Sequence, residues 1–210
     1  MGIARLLAIA GPPLSDSDPA PQLRQTAPAL FGMLRARNGF YALDGALHVF
    51  PSGISKRGHT PLEEWNTPDL WLDGYSFAIP ERVYFAENVF GEQFTLGESV
   101  ELFDPETGAL SPVAATLEDW ADVILADNYF TGHSIASQWK LERGPIEPGC
   151  RLLPKQPFVV GGRYDIDNLY SGQSLEGMQF RAYLASQIHD LPDGARVVFE
   201  ISNRPDGRQS

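Results

Sequence analysis

The chain has 210 residues, 43% of them apolar and 20% charged, a balance that fits a soluble globular protein and excludes disordered, fibrous and membrane-spanning classes. Its 20 glycines and 17 prolines place many residues in turns, which excludes a coiled coil or a bundle of long helices. The formal net charge is −11, but 15 of the 27 acids lie between residues 60 and 130 against one base, Arg82, so the middle third carries −14 and the remainder +3.

A chain of this size can close around one core without a metal or disulfide staple. We expect an irregular lead-in over 1–22, a single domain over 23–203 and a short tail over 204–210. Ile3 to Ala10 is apolar but contains Arg5, is too short to span a membrane, and stops at Gly11-Pro12-Pro13, so no membrane association is expected. Cys150 is the only cysteine, which excludes an intrachain disulfide and suits a reducing, cytoplasmic setting, with the thiol as packing.

Thr26 and Pro28 open a helix whose Leu30, Phe31 and Leu34 share a side, with Asn38-Gly39 as its stop. Ala46 to Phe50 reads as a short strand, and 51–61 as a loop. Three antiparallel strands follow, over 83–85, 90–96 and 100–103, because the connections between them are too short for parallel crossovers. Thr116 and Asp119 form a capping-box start for a helix carrying Leu117, Trp120, Ala121, Ile124 and Leu125 at helical spacing. A weaker helix covers Ser134 to Arg143 and ends at Gly144-Pro145. Phe158 to Val160 reads as a buried strand, Phe180, Leu184, Ile188 and Leu191 as the apolar stripe of a helix, and Arg196 to Ile201 as a last strand. The class is therefore α+β, with a mainly antiparallel twisted sheet and helices against it.

Several patterns invite a catalytic or metal reading. Gly132-His133-Ser134-Ile135-Ala136 is a relaxed nucleophile elbow, but a helix rather than a strand precedes it, so Ser134 reads as a turn or cap residue and a serine hydrolase is a remote alternative. His189 and Asp190 are adjacent on a helix and cannot complete a triad with it. Asp165 and Asp167 begin like a calcium loop, yet Leu169 and Tyr170 occupy positions that need an oxygen ligand and a glycine, so a strand bearing two acids is expected. His48, His59, His133 and His189 lack ligand spacing and are expected at or near the surface, and no metal or cofactor is expected. Glu87 and Glu92 could share acid and base roles in glycoside hydrolysis only at a particular separation, and are assigned to the acidic surface instead.

That surface repels nucleic acid and favours a basic protein partner, if its acids are more than a solubilising coat. We expect Glu87, Glu92, Glu98, Glu101 and Asp104 in the contact surface. Trp65, Trp71 and Tyr75 would be its apolar anchors where exposed, and core plugs where not.

The order of ARNGF at 36–40, ALHVFP at 46–51, LEEWN at 62–66, FAENVFGEQFTL at 85–96 and LFDPETGAL at 102–110 resembles the SUKH superfamily, whose eukaryotic branch includes a yeast regulator of cell-wall assembly. The likeness covers roughly residues 26 to 130. LEDW at 117–120, RLLPKQPFVVGG at 151–162 and GMQFRAYLASQIHDLPDG at 177–194 look like the C-terminal part of a bacterial subgroup, an extension of the minimal domain from about 131. The resemblance implies a SUKH-like α+β domain without catalytic residues, used in bacteria as the immunity partner of polymorphic toxins, many of them nucleases. A regulatory or scaffolding module is the alternative. Neither the partner nor the oligomeric state follows from it.

Overall fold

A computed structural model describes residues 1–56, 58–192 and 194–197. Its helices are Gly2–Ile9 (α1), Leu23–Thr26 (α2), Pro28–Ala36 (α3), Leu62–Trp65 (α4), Leu117–Ala126 (α5), His133–Arg143 (α6) and Ser174–Ile188 (α7). Its strands are Phe40–Ala42 (β1), Leu47–Val49 (β2), Val83–Asn88 (β3), Gln93–Leu96 (β4), Val100–Phe103 (β5), Leu110–Ala114 (β6), Cys150–Pro154 (β7) and Leu169–Gln173 (β8).

Strands β1 to β6 lie side by side in chain order, each antiparallel to the next, and β7 pairs with β8 in a separate two-stranded ribbon. This is the α+β class expected from the short connections. The edge strands β1 and β6 were not foreseen: β1 has three residues, and Pro112 inside β6 argues against a central strand, though it is tolerated at an edge.

The two faces of the sheet differ in chemistry. One carries Val49, Ala86 and Phe94 and receives α5, where Trp120 meets Phe85 edge-on at 5.0 Å and Phe94 at 5.5 Å. Helix α5 begins as expected, with Thr116 Oγ1 accepting the Asp119 N–H at 3.1 Å. The opposite face carries a cross-strand row, Tyr41, His48, Glu87, Gln93 and Phe103, each paired with the next in register. The aromatic segment 65–84, β7–β8 and α7 cover that row.

Four expectations about the elements fail, two for tertiary and two for local reasons. The lead-in is irregular over 10–22 only: Gly2–Ile9 is helical because fully buried Leu6, with Ile3 and Leu7, finds a partner in α5, where Arg5 pairs with Asp122 at 3.1 Å. The Phe158–Val160 segment is a 3₁₀ turn with Val159 exposed, since Gly161 in the left-handed region closes it before a strand can extend. Helix α7 exists, but Phe180 and Leu191 are exposed, and Gly177, Met178, Arg181, Ala182 and Ala185 face inward. A Cβ on Gly177 would sit 2.6 Å from Leu153, so small residues let α7 approach β7 closely. Residues 165–168 form a capped 3₁₀ turn, not a strand, with Asp165 accepting the Asn168 N–H at 3.1 Å. The expected last strand, 196–201, falls mostly outside the described residues.

Candidate functional site

Glu87 was expected at the surface, and the structure places it at the centre of the polar row with no exposure. Its Oε1 accepts His48 Nδ1–H at 2.9 Å and Arg151 Nε–H at 2.7 Å, and its Oε2 accepts the Ser174 hydroxyl at 2.5 Å. Burial alone would raise the Glu87 pKa, but the Arg151 guanidinium, His48 and Ser174 hold it down at about 2. Burial pushes the His48 imidazole down to about 4 against the pull of Glu87, so at neutral pH His48 is an uncharged donor. His48 was also expected near the surface and is 3% exposed.

Arg151 has no exposure either; its NH1 group donates to the Gly45 carbonyl at 2.9 Å, and its guanidinium lies 5.3 Å from the centre of the Tyr41 ring. The acid is therefore neutralised by a base 64 residues away, which a charge count over the middle third cannot register.

Trp65, Trp71 and Tyr75 are core residues, not exposed anchors, at 2%, 2% and 7% exposure. Each has a polar tip that is satisfied internally. Trp65 Nε1–H donates to Gln93 Oε1 at 2.9 Å, Trp71 Nε1–H to the Trp65 carbonyl at 2.8 Å, and Tyr75 O–H to the Pro105 carbonyl at 2.8 Å. Bulky aromatics in a proline-broken segment thus close the sheet face.

The other expected acids divide. Glu98 is exposed in the turn between β4 and β5. Glu101 is half-buried and paired with Arg82 at 2.8 Å. Glu92 and Asp104 come together near Glu106, which the charge count included but the site reading omitted. Asp104 shapes its own turn, accepting the Glu106 N–H and the Thr107 hydroxyl, both at 2.8 Å. Glu92 accepts Asn88 Nδ2–H at 2.5 Å and the Tyr164 hydroxyl at 3.3 Å. Glu106 is buried; its Oε2 accepts the Val159 N–H at 2.7 Å and its Oε1 has no partner.

Among the described residues none of these three carboxylates makes an ion pair. Burial raises the pKa of Glu92, with Asp104 adding to it. Burial likewise lifts Glu106 to about 7, helped by Asp104 and Glu92, although the Val159 N–H and Arg181 oppose it. Arg181, buried in α7, spends its donors on the carbonyls of Gly177, Phe90 and Gly91 rather than on the acids.

Beside Glu92 opens a pocket of about 390 Å³, walled by Phe90, Tyr129, Ile135 and Tyr164 and bordered by Ser134. Tyr164 stacks on Phe158 at 3.7 Å and meets Phe90 edge-on at 5.0 Å. Tyr129 is 78% exposed at the mouth. Sequence reasoning missed Tyr164, whose approach to Glu92 depends on the turns between residues 158 and 168.

The remaining chemical candidates are accounted for locally. Ser134 is exposed at the second position of α6, after a left-handed Gly132 that starts the helix, with no strand before it. Its neighbour His133 contacts Asp44 at 3.2 Å, and Lys140, His133 and Ser137 together hold the Asp44 carboxyl down at about 2. Asp165 pairs with Arg163 at 2.8 Å. Cys150 is buried. Among the described residues no three or more histidine, cysteine or carboxylate side chains converge as a metal would require. No described helix is long and apolar enough to cross a membrane.

No protein-family model matches the chain, and no curated protein does. Among solved structures, the crystal structure of Atu4351 from Agrobacterium tumefaciens is similar to it, with a TM-score of 0.52 and 14% identity over 84% of this chain and 86% of the other. At that identity the likeness is one of fold.

Proposed function

We propose that this chain is a non-catalytic, protein-binding domain that neutralises a basic partner, in the manner of the immunity proteins implied by its resemblance to the SUKH superfamily. The observation that carries this reading is the pair Glu92 and Asp104, neither of which makes an ion pair among the described residues, with Glu92 lining an open pocket walled by aromatic side chains. Unbalanced carboxylates at a surface opening favour a cationic protein, both in encounter rate and in register. A nuclease toxin, which needs a basic surface to hold phosphates, is the partner class with the matching charge. The buried lone thiol supports a reducing, cytoplasmic setting for the encounter.

The test is co-expression with a basic toxin encoded next to the gene for this chain. The expected result is rescue of growth and a stoichiometric complex on gel filtration. That complex should weaken as salt rises from about 0.05 M to about 0.5 M. Lethality undiminished by the chain, together with separate elution of the two proteins, would overturn the proposal and favour a regulatory or scaffolding role.

A further inference from the structure

We propose that the pocket between Tyr164, Phe90 and Tyr129 is an arginine-accepting subsite, in which a guanidinium from the partner protein reaches Glu92 and lies against the Tyr164 ring. This rests on the reading of the chain as a protein-binding domain and names the side chain it recognises.

The pocket offers three things a guanidinium can use at once. Its walls are aromatic, and Tyr164 is half exposed while its other face is fixed by stacking on Phe158 at 3.7 Å, so one ring surface is presented without further ordering cost. Glu92 accepts one bond at each oxygen, from Asn88 and from Tyr164, and a carboxylate has about four lone-pair sites, so both oxygens keep room for a planar fork. Asp104 adds negative charge nearby without lining the pocket, whereas the buried Glu106 carboxyl, held up at about 7, adds less.

The chain's own arginines leave this position open. Arg181 is committed to three backbone carbonyls, and Arg163, next to Tyr164 in sequence, pairs with Asp165. A lysine would meet the charge but would waste the flat ring and the paired oxygens. At about 390 Å³ the pocket has space for a long side chain together with the edge of the backbone that carries it.

The experiment is an amide NMR titration of the full chain with three blocked tripeptides, Ac-Gly-Arg-Gly-NH₂ and its lysine and citrulline counterparts. The arginine peptide is expected to shift the amides of Phe90, Glu92, Tyr129 and Tyr164 with millimolar affinity, and the neutral citrulline peptide to leave them in place. Glu92→Gln should weaken arginine binding about tenfold with the rest of the spectrum unchanged, and Tyr164→Ala should weaken it separately. No localised shift up to about 50 mM peptide would overturn the subsite, as would equal binding of lysine or indifference to Glu92→Gln. The two proposals fail separately. Toxin rescue without arginine binding removes the subsite and keeps the function, and arginine binding without rescue does the reverse.

Discussion

Replacing Arg151 with methionine keeps the length and the apolar stem of the side chain while deleting the charge that faces Glu87. The carboxylate would then sit unexposed with only His48 and Ser174 as strong donors, and His48 is uncharged at neutral pH. Removing one member of a buried pair costs about 3–5 kcal/mol, because the other charge is left without compensation. Linkage gives a comparable figure. A Glu87 pKa moved from 4.5 to about 2 corresponds to about 3 kcal/mol of stability above pH 4.5, which the guanidinium is the largest single favourable contributor in securing. For a domain of this size that loss lowers Tm by about 6–20 °C.

Urea unfolding at pH 7.5 measures it, and the pH dependence supplies a second signature. In Arg151→Met, burial is no longer opposed by the guanidinium, so the Glu87 pKa should rise above its unfolded value. Stability from this group is then greatest below the unfolded pKa and falls as pH rises through the folded one, opposite to the wild type. Adding Glu87→Gln should restore much of the loss, since an amide leaves no bare charge behind. A loss under about 1 kcal/mol, or a double variant no better than the sum of the single ones, would refute the claim that this pair organises the covered face.

On acidification His48 and Glu87 each withdraw stability, while Glu106, held up at about 7, works the other way. Between pH 6.5 and about 4 the unfolded chain protonates His48 while the folded chain resists, and between 4.5 and about 2 the same holds for Glu87, so at these two groups stability falls as pH falls; at Glu106 the folded chain binds the proton first, and stability rises as pH falls from 7 to 4.5. Urea midpoints from pH 7.5 down to pH 5 separate the two: Glu106→Gln should make them fall more steeply with pH than in the wild type, and adding His48→Gln should flatten them. Leu6→Ala should cost about 2–5 kcal/mol by calorimetry despite its place near the start of the chain, because Leu6 is fully buried; a change under about 0.5 kcal/mol would mean that α1 does not dock on α5 in solution.

What could be read from the sequence was local. The start of α5 was legible because Thr116 and Asp119 satisfy each other within one turn, and the antiparallel order of β3 to β5 because short connections allow nothing else. Helix α7 was legible as a helix but not in its phase. Its inward face contains Gly177, Ala182 and an arginine, and apolar periodicity has no means of scoring a buried guanidinium satisfied by carbonyls of the turn between β3 and β4. Helix α1 was missed for the converse reason, since its eight residues are too few to be stable alone and its partner α5 begins more than a hundred positions later.

The same distinction explains why the acidic middle third misled as a map and still pointed to the proposed site. Five acids were chosen by position, yet what separates them is the cation each one meets. Glu87 finds Arg151 from β7 and becomes structural, Glu101 finds Arg82 and is neutralised at the surface, while Glu92 and Asp104 have no ion pair among the described residues. The bases that decide this come from both sides of the chain. A carboxylate becomes a recognition group only after the fold has assigned its bases, and the residual imbalance beside Tyr164 is therefore a more specific signal than the net charge of −11 from which it descends.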